Sequence, residues 1–193
     1  VHAALRLLGN RRFAAVTICS ILFSFAQISD AFVYLLLQRR YDFQLGFFPL
    51  LSLGTAIGYI VLAVPFGRFA DRVGRARVFL LGHVALLVVY VLMEHGPHGW
   101  PFLFVILAIH GSFYAATDGV LMAYASPLIP EHLRTSGMAV IQTGNAVSNL
   151  ASSTIFGLVW TVWGPGTAVG GFGVALVVAL VLGLVMLPIR SRS

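Results

Sequence analysis

The chain has 193 residues, of which 59% are hydrophobic and only 9% are charged, and its formal net charge at pH 7 is +6. Ordinary soluble domains carry about a quarter charged residues, so this composition excludes a water-exposed globular surface and indicates a membrane protein. The single cysteine, Cys19, excludes a disulfide framework within one chain.

Six apolar segments are long enough to cross a bilayer as α-helices, and short polar or Gly/Pro-rich stretches separate them. Continuous apolar runs of this length do not fit the short alternating strands of a β-barrel. The predicted fold class is therefore all-α, a polytopic membrane protein with six transmembrane helices. The predicted spans, counted in chain order, are about residues 13–37, 44–66, 78–94, 101–126, 136–160 and 169–188.

The first span carries Gln27, Asp30 and Tyr34, spaced three and four residues apart, which places them on one face of a continuous helix. An ionisable group at membrane depth is costly and is by default a functional candidate. We therefore expect Asp30 to contact substrate or carry a proton, the alternative being a protonated structural acid.

The second span contains the pair Gly54 and Gly58, a spacing typical of closely packed membrane helices. After it comes "GRFADRVGRAR", residues 67–77, predicted to be a loop. It holds five charged side chains, namely Arg68, Asp71, Arg72, Arg75 and Arg77. The third span has His83 as its notable polar residue, and the sixth has no polar side chain, so both are predicted to face lipid.

The fourth span carries His110, Tyr114 and Asp118 on one face. His110 is a candidate site residue or a hydrogen-bonded interior histidine, and Asp118 is a candidate or the partner of Arg134. The fifth span carries a set of amides, spaced three and four residues apart, that could hydrogen-bond neighbouring helices or contact substrate. These amides are Gln142, Asn145 and Asn149.

All twelve basic residues are arginines, and ten of them fall on one side of the predicted membrane. The ten are Arg6, Arg11, Arg12, Arg68, Arg72, Arg75, Arg77, Arg134, Arg190 and Arg192, whereas Arg39 and Arg40 fall on the other side. Because positive loops stay in the cytoplasm, both termini are predicted to be cytoplasmic, in a plasma membrane. The scatter of these arginines over separate segments argues against a nucleic-acid partner.

Catalytic residues, metal ligands and cofactor motifs are not predicted. Ser112 and His110 lie two residues apart and therefore point to different faces of a helix, which excludes a nucleophile and base pair. The sequence also lacks a nucleophile elbow, a zinc-binding helix motif, a P-loop and cysteines at metal spacing. We expect a protein that is not an enzyme.

Two motifs resemble the major facilitator superfamily. Residues 67–77 resemble its loop signature G-x-L-A-D-R-x-G-R-R/K between the second and third helices of a six-helix half, with Phe69 where Leu is usual. The matching positions are Gly67, Ala70, Asp71, Arg72, Gly74 and Arg75. Pro130, Arg134 and Gly137 resemble the P-x-x-x-R-x-x-G element between the fourth and fifth helices.

The resemblance covers the whole chain and implies one six-helix half built from 3+3 inverted repeats. The fifth span lacks the G-x-x-x-G-P-x-x-G-G motif that marks the amino-terminal half of drug/proton antiporters. This absence implies the carboxy-terminal half of a twelve-helix, drug/proton antiporter-like protein, of which the present chain is a part. The family plan further implies that the first and fourth helices line the cavity. It also implies that Asp71 contacts a helix of the other half as a latch. The alternative for the arginines of this motif is that they only set the topology of the chain in the membrane.

The implied function is secondary active transport of a small molecule, proton-coupled, by alternating access. The implied partners are the lipid bilayer, a small-molecule substrate, protons and the amino-terminal half. Two alternatives remain: a six-helix protein that transports as a homodimer, and a regulatory or scaffolding membrane protein that does not transport. The polar but mostly uncharged lining suits many neutral or amphipathic solutes.

Overall fold

A computed structural model describes residues 6–187, which fold into α-helices and short 3₁₀ segments without a β-strand. The α-helices of this part of the chain are α1 (Arg11–Ala26), α2 (Asp30–Tyr41), α3 (Phe48–Val73), α4 (Arg75–His95), α5 (Trp100–Ala125), α6 (Arg134–Trp163) and α7 (Pro165–Met186). The 3₁₀ segments are Arg6–Gly9, Leu45–Phe47, Ser126–Leu128 and Glu131–Leu133. Pro188, Arg190 and Arg192, which the sequence predictions include, lie outside the described residues.

The membrane-spanning segments number six among the described residues, because α1 and α2 together form the first of them, Arg11–Tyr41. Each is long and apolar enough to cross a bilayer. The predicted all-α fold with six transmembrane helices is thus confirmed.

The first span is not the continuous helix predicted over residues 13–37. α1 ends at Ala26, Gln27 has an extended backbone (φ −84°, ψ 130°), and α2 begins at Asp30 after Ser29. Contacts from other helices replace the helical hydrogen bonds here, and sequence periodicity cannot reveal such contacts. Gln27, Asp30 and Tyr34 therefore do not share one helix face.

The arginine-rich segment 67–77 is not a loop either. α3 continues to Val73 and α4 begins at Arg75, so Gly74 alone joins them. Its φ of 107° is a conformation that residues with a Cβ rarely adopt, which explains glycine at this position. The motif therefore lies on the last turns of α3 and the first turn of α4, rather than on a flexible connection.

Close packing of α3 on α5 organises the centre of the bundle. A Cβ added to Gly111 of α5 would lie 2.7 Å from the Thr55 carbonyl oxygen of α3, and Gly58 lies directly opposite Gly111. The close helix packing predicted from Gly54 and Gly58 is therefore confirmed.

α4 and α7 each expose one apolar face, as expected for helices in contact with lipid. These faces consist of Leu81, Val84, Val88 and Val91 on α4, and Val174, Val178, Val181 and Val185 on α7. The opposite face of α4 is buried inside the bundle and carries His83 and Tyr90. The prediction that the third span faces lipid therefore holds for one of its sides only.

Single-residue links such as Gly74 make consecutive spans antiparallel, so the arginines collect at the two ends of the bundle. We call the end that includes Gly74 the arginine-rich end. Among the described helices it holds Arg11, Arg12, Arg68, Arg72, Arg75, Arg77 and Arg134, against Arg39 and Arg40 at the other end.

Candidate functional site

Polar side chains gather around the interruption of the first span. We call Gln27, Asp30, His110 and Tyr114 the break cluster. The Tyr114 hydroxyl donates a hydrogen bond to Asp30 Oδ1 at 2.6 Å, and Gln27 Nε2 donates to the Tyr114 hydroxyl at 3.4 Å. Because Asp30 is the first residue of α2, its carboxylate also lies at the positive end of a helix dipole.

His110 completes the cluster from within the bundle. Its side chain is 1% exposed, and its Nε2 lies 3.5 Å from Asp30 Oδ1. Among the described residues neither ring nitrogen has a hydrogen-bond partner. A buried imidazole this close to a carboxylate forms an ion pair with it when a proton is bound.

Two buried hydroxyl groups hold the interrupted backbone. The Ile28 N–H donates to the Tyr90 hydroxyl at 2.7 Å, and the Ser152 hydroxyl donates to the Gln27 carbonyl oxygen. The sequence analysis missed both residues, because each lies on another helix far along the chain. The local signal of the break was present in Ser29–Asp30, since serine followed by an acidic residue is typical of a helix start.

A cavity of about 230 Å³ opens beside the break cluster. Its lining comes from the break itself and from α2, α5 and α6, and it consists of Gln27, Ser29, Asp30, Tyr114, Asn149 and Ser153. The Asp30 side chain is 40% exposed, so it is accessible to a solute in this cavity. The cavity thus brings together four residues that the sequence singled out, namely Gln27, Asp30, Tyr114 and Asn149.

The remaining sequence candidates occupy other places. Asp118 and Asn145 line a smaller adjacent cavity of about 50 Å³, together with Gln27 and His83. Tyr34 is buried with its ring edge-on to Phe48 and to His110. Gln142 is exposed and lines neither cavity. Asp118 makes no ion pair with Arg134 in the part of the chain that the structure describes.

The arginine-rich motif forms a second polar arrangement. Asp71 Oδ1 accepts hydrogen bonds from Arg75 Nε at 3.3 Å and Nη2 at 3.1 Å. Arg75 Nη1 donates to the Ala123 carbonyl oxygen at 2.6 Å, which ties the start of α4 to the end of α5. Gly67 and Asp71 also border a groove of about 270 Å³ between α3 and α5.

The second motif lies at the start of α6. Arg134 is the first residue of this helix and is exposed, and Pro130 precedes the 3₁₀ turn before it. Gly137 packs tightly, since a Cβ added to it would lie 2.8 Å from Ile129 Cδ1. Its small size therefore has a packing reason.

Six apolar spans around a half-buried carboxylate and a buried histidine define a multi-pass integral membrane protein with a polar cluster between its spans. The chain belongs to the Major Facilitator Superfamily, whose family model matches residues 6–193. The chain therefore belongs to a family of membrane transporters, and the resemblance to the major facilitator superfamily noted in the sequence is confirmed.

A similar curated protein is an uncharacterized MFS-type transporter of Methanocaldococcus jannaschii, MJ1317. It is 27% identical over 131 residues, which are 65% of this chain. The chain covers 31% of the length of that relative. No solved structure matches the chain.

Proposed function

We propose that this chain forms one half of a secondary active transporter in which Asp30 carries the coupling proton. The observation that carries the proposal is the buried His110 ring at 3.5 Å from a carboxylate that opens on a cavity. Within residues 6–187, neither nitrogen of this ring has a hydrogen-bond partner. A proton can bind at Asp30 from the cavity, and its arrival changes the charge that Tyr114 and His110 face. Alternating access then couples this step to movement of a solute.

The substrate that fits the cavity is a small polar solute, neutral or cationic. Amides and hydroxyls dominate the lining, and the carboxylate of Asp30 is the charged group among them. These groups offer hydrogen bonds in several directions, which supports recognition of a solute with both donors and acceptors.

We also propose that the chain is the carboxy-terminal half of a twelve-helix protein and packs against a second six-helix half. The exposed apolar faces of α3 and α6 support this arrangement. They include Ile57, Ile60, Val61 and Val64 on α3, and Val147, Leu150, Leu158 and Val162 on α6. Asp71 would then serve as a latch, since its side chain is 65% exposed and can accept further hydrogen bonds from a helix of the other half.

The arginine-rich end is proposed to face the cytoplasm of a plasma-membrane protein, because it holds most of the described arginines. The two arginines at the opposite end have local partners that account for their placement. Arg40 donates to the carbonyl oxygens of Met93 and Gly96, and the Arg39 guanidinium lies 5.0 Å from the centre of the Trp160 ring. They therefore do not weaken the proposed orientation.

The same exposed faces of α3 and α6 favour one alternative, a homodimer in which a second copy supplies the other half. The two arrangements differ in whether the α3 faces of two copies meet.

The proton role is tested with the full-length protein that contains this chain, in proteoliposomes loaded with a pH-sensitive dye, using a panel of small polar solutes. We expect Asp30→Asn to lower solute-driven proton movement by about a hundredfold, the lower range for a positioned proton-transfer group. Asp42→Asn is the matched control, because Asp42 ends the same helix and its left-handed backbone (φ 48°) suits asparagine. Solute-driven proton movement that survives Asp30→Asn would contradict the proposal.

A further inference from the structure

We propose that Tyr90 and Ser152 are positioning residues that keep the first span interrupted at Gln27–Ser29 and so place Asp30 in the break cluster. This inference rests on the proposed role of Asp30 and names the groups that hold it in place. Neither residue lines the cavity beside Asp30.

The backbone groups of the interruption need partners inside the protein, because the bilayer core offers no water to bind them. The first turn of α2 makes its own backbone hydrogen bonds. The Ser29 carbonyl oxygen accepts hydrogen bonds from the N–H groups of Phe32 and Val33, at 2.9 and 3.1 Å. The Ile28 N–H and the Gln27 carbonyl are instead held by Tyr90 and Ser152. These side chains therefore replace the hydrogen bonds that a continuous helix would have made.

The two positioning side chains approach the interruption from different helices. Tyr90 belongs to α4 and Ser152 to α6, and both are nearly inaccessible, as is Ile28. A return to a continuous helix would break both hydrogen bonds and leave two buried hydroxyls to find new partners. The surrounding bundle therefore fixes the interrupted form.

The position of Asp30 depends on that form. An extended residue advances the chain by about 3.3 Å and a helical one by 1.5 Å. Gln27 (ψ 130°) and Ser29 (ψ 141°) alone therefore displace the start of α2 by roughly 4 Å relative to a continuous helix. The Asp30 carboxylate lies 2.6 Å from the Tyr114 hydroxyl and 3.5 Å from His110 Nε2. A displacement of roughly 4 Å would remove both contacts.

The test is infrared titration of the carboxyl group in the full chain, reconstituted in lipid without any substrate. The carboxyl band that disappears in Asp30→Asn reports the environment and protonation of Asp30. We expect Tyr90→Phe, which removes one oxygen from a buried ring, and Ser152→Ala each to shift the frequency of this band, because the hydrogen bonds of the Asp30 carboxyl group would change.

Two matched controls lose a hydroxyl elsewhere. The first control is Tyr124→Phe, because Tyr124 lies on α5 ten residues beyond Tyr114, about 15 Å along the helix. Thr161→Val removes a hydroxyl that bonds within its own helix, to the Gly157 carbonyl oxygen. Both are expected to leave the Asp30 band unchanged.

The outcomes separate this inference from the proposed function. An Asp30 band that titrates but is identical in Tyr90→Phe and Ser152→Ala overturns the positioning role and leaves the proton role standing. If the Asp30 band does not titrate at any pH at which the protein stays folded, that result contradicts the proton role itself, and with it this inference.

A second measurement applies if neither variant folds. Hydrogen exchange of the Ile28 amide in the unaltered protein is then expected to be slow, because the Tyr90 hydroxyl accepts its N–H. Exchange as fast as in an unstructured peptide would overturn the inference.

Discussion

At the scale of single residues, His110 shows how a buried polar group marks a site. Its ring lies parallel to Phe113, with a centroid distance of 6.2 Å, and edge-on to Tyr34. A buried nitrogen without a partner costs about 1–3 kcal/mol of folding free energy. Because packing alone would favour an apolar side chain here, the placement of a histidine beside Asp30 supports a functional role.

His110→Leu is therefore expected to raise the free energy of unfolding by about 1 kcal/mol. It is also expected to lower solute-driven proton movement, because Asp30 loses the imidazole beside it. His83→Leu is the matched control, because His83 is also buried among phenylalanines but its Nδ1 lies 2.9 Å from the Phe79 carbonyl oxygen. That variant loses a hydrogen bond and should be less stable. Thermal unfolding followed by tryptophan fluorescence measures the stability of both variants, and the proteoliposome assay measures proton movement. Destabilisation by His110→Leu would contradict the prediction.

The residues of the site could be predicted in part. Gln27, Asp30, Tyr114 and Asn149 stand out because polar groups at membrane depth are rare, and this physical cost is visible in a sequence. Tyr90 and Ser152 do not stand out, because a tyrosine or a serine in a membrane helix is ordinary until its partner is known. Their partners lie 62 and 125 residues away along the chain, and only the fold brings them together.

At the scale of elements, the contact between α3 and α5 depends on the absence of side chains. Gly111 faces the Thr55 carbonyl and the Tyr59 amide of α3, which are backbone atoms and cannot rotate away. The helices approach here as closely as glycine permits, which favours association of membrane helices through backbone contact.

Gly111→Ala is expected to lower the free energy of unfolding by about 1–3 kcal/mol, the usual cost of overpacking. Gly119→Ala on the same helix is the control, because within residues 6–187 no atom of another helix lies within 4 Å of the added Cβ. In a helix interior that change should be neutral or stabilise by up to about 1 kcal/mol. Equal melting temperatures for the two variants would refute the close approach of α3 and α5 at Gly111.

The six spans could be predicted from hydropathy, since length and apolar composition determine which segments can cross a bilayer. Their interruptions and ends could not. The sequence around Gly74 predicts a polar loop, but this one residue with a positive φ is enough to reverse the direction of the chain. The helices α3 and α4 therefore extend into the charged motif. In the first span, apolar residues on both sides of Gln27–Ser29 conceal the change of backbone conformation.

At the scale of the whole molecule, the apolar faces of α3 and α6 are the surfaces that a second half would cover. Ile60 is 68% exposed near the middle of α3, and Val174 is 66% exposed on α7, whose outer face is predicted to contact lipid. These two residues allow the proposed twelve-helix protein to be distinguished from a homodimer.

We expect Ile60→Cys, in a Cys19→Ala background, to give no disulfide-linked dimer when native membranes are oxidised, because another half covers α3 in the proposed twelve-helix protein. Val174→Cys in the same background is the control for random collisions between copies in the bilayer. A dimer that forms with Ile60→Cys much faster than with Val174→Cys would support the homodimer and contradict the twelve-helix proposal.

The interruption of the first span also has a consequence for biogenesis. α2 has 12 residues, about 18 Å of helix, and carries Asp30, Arg39 and Arg40, so the insertion machinery cannot accept it as a transmembrane segment by itself. It must enter the bilayer together with α1. The Gln27 carbonyl obtains its partner only after Ser152 has been synthesised, 125 residues later. The first of the six spans to emerge from the ribosome is therefore among the last to reach its final backbone conformation.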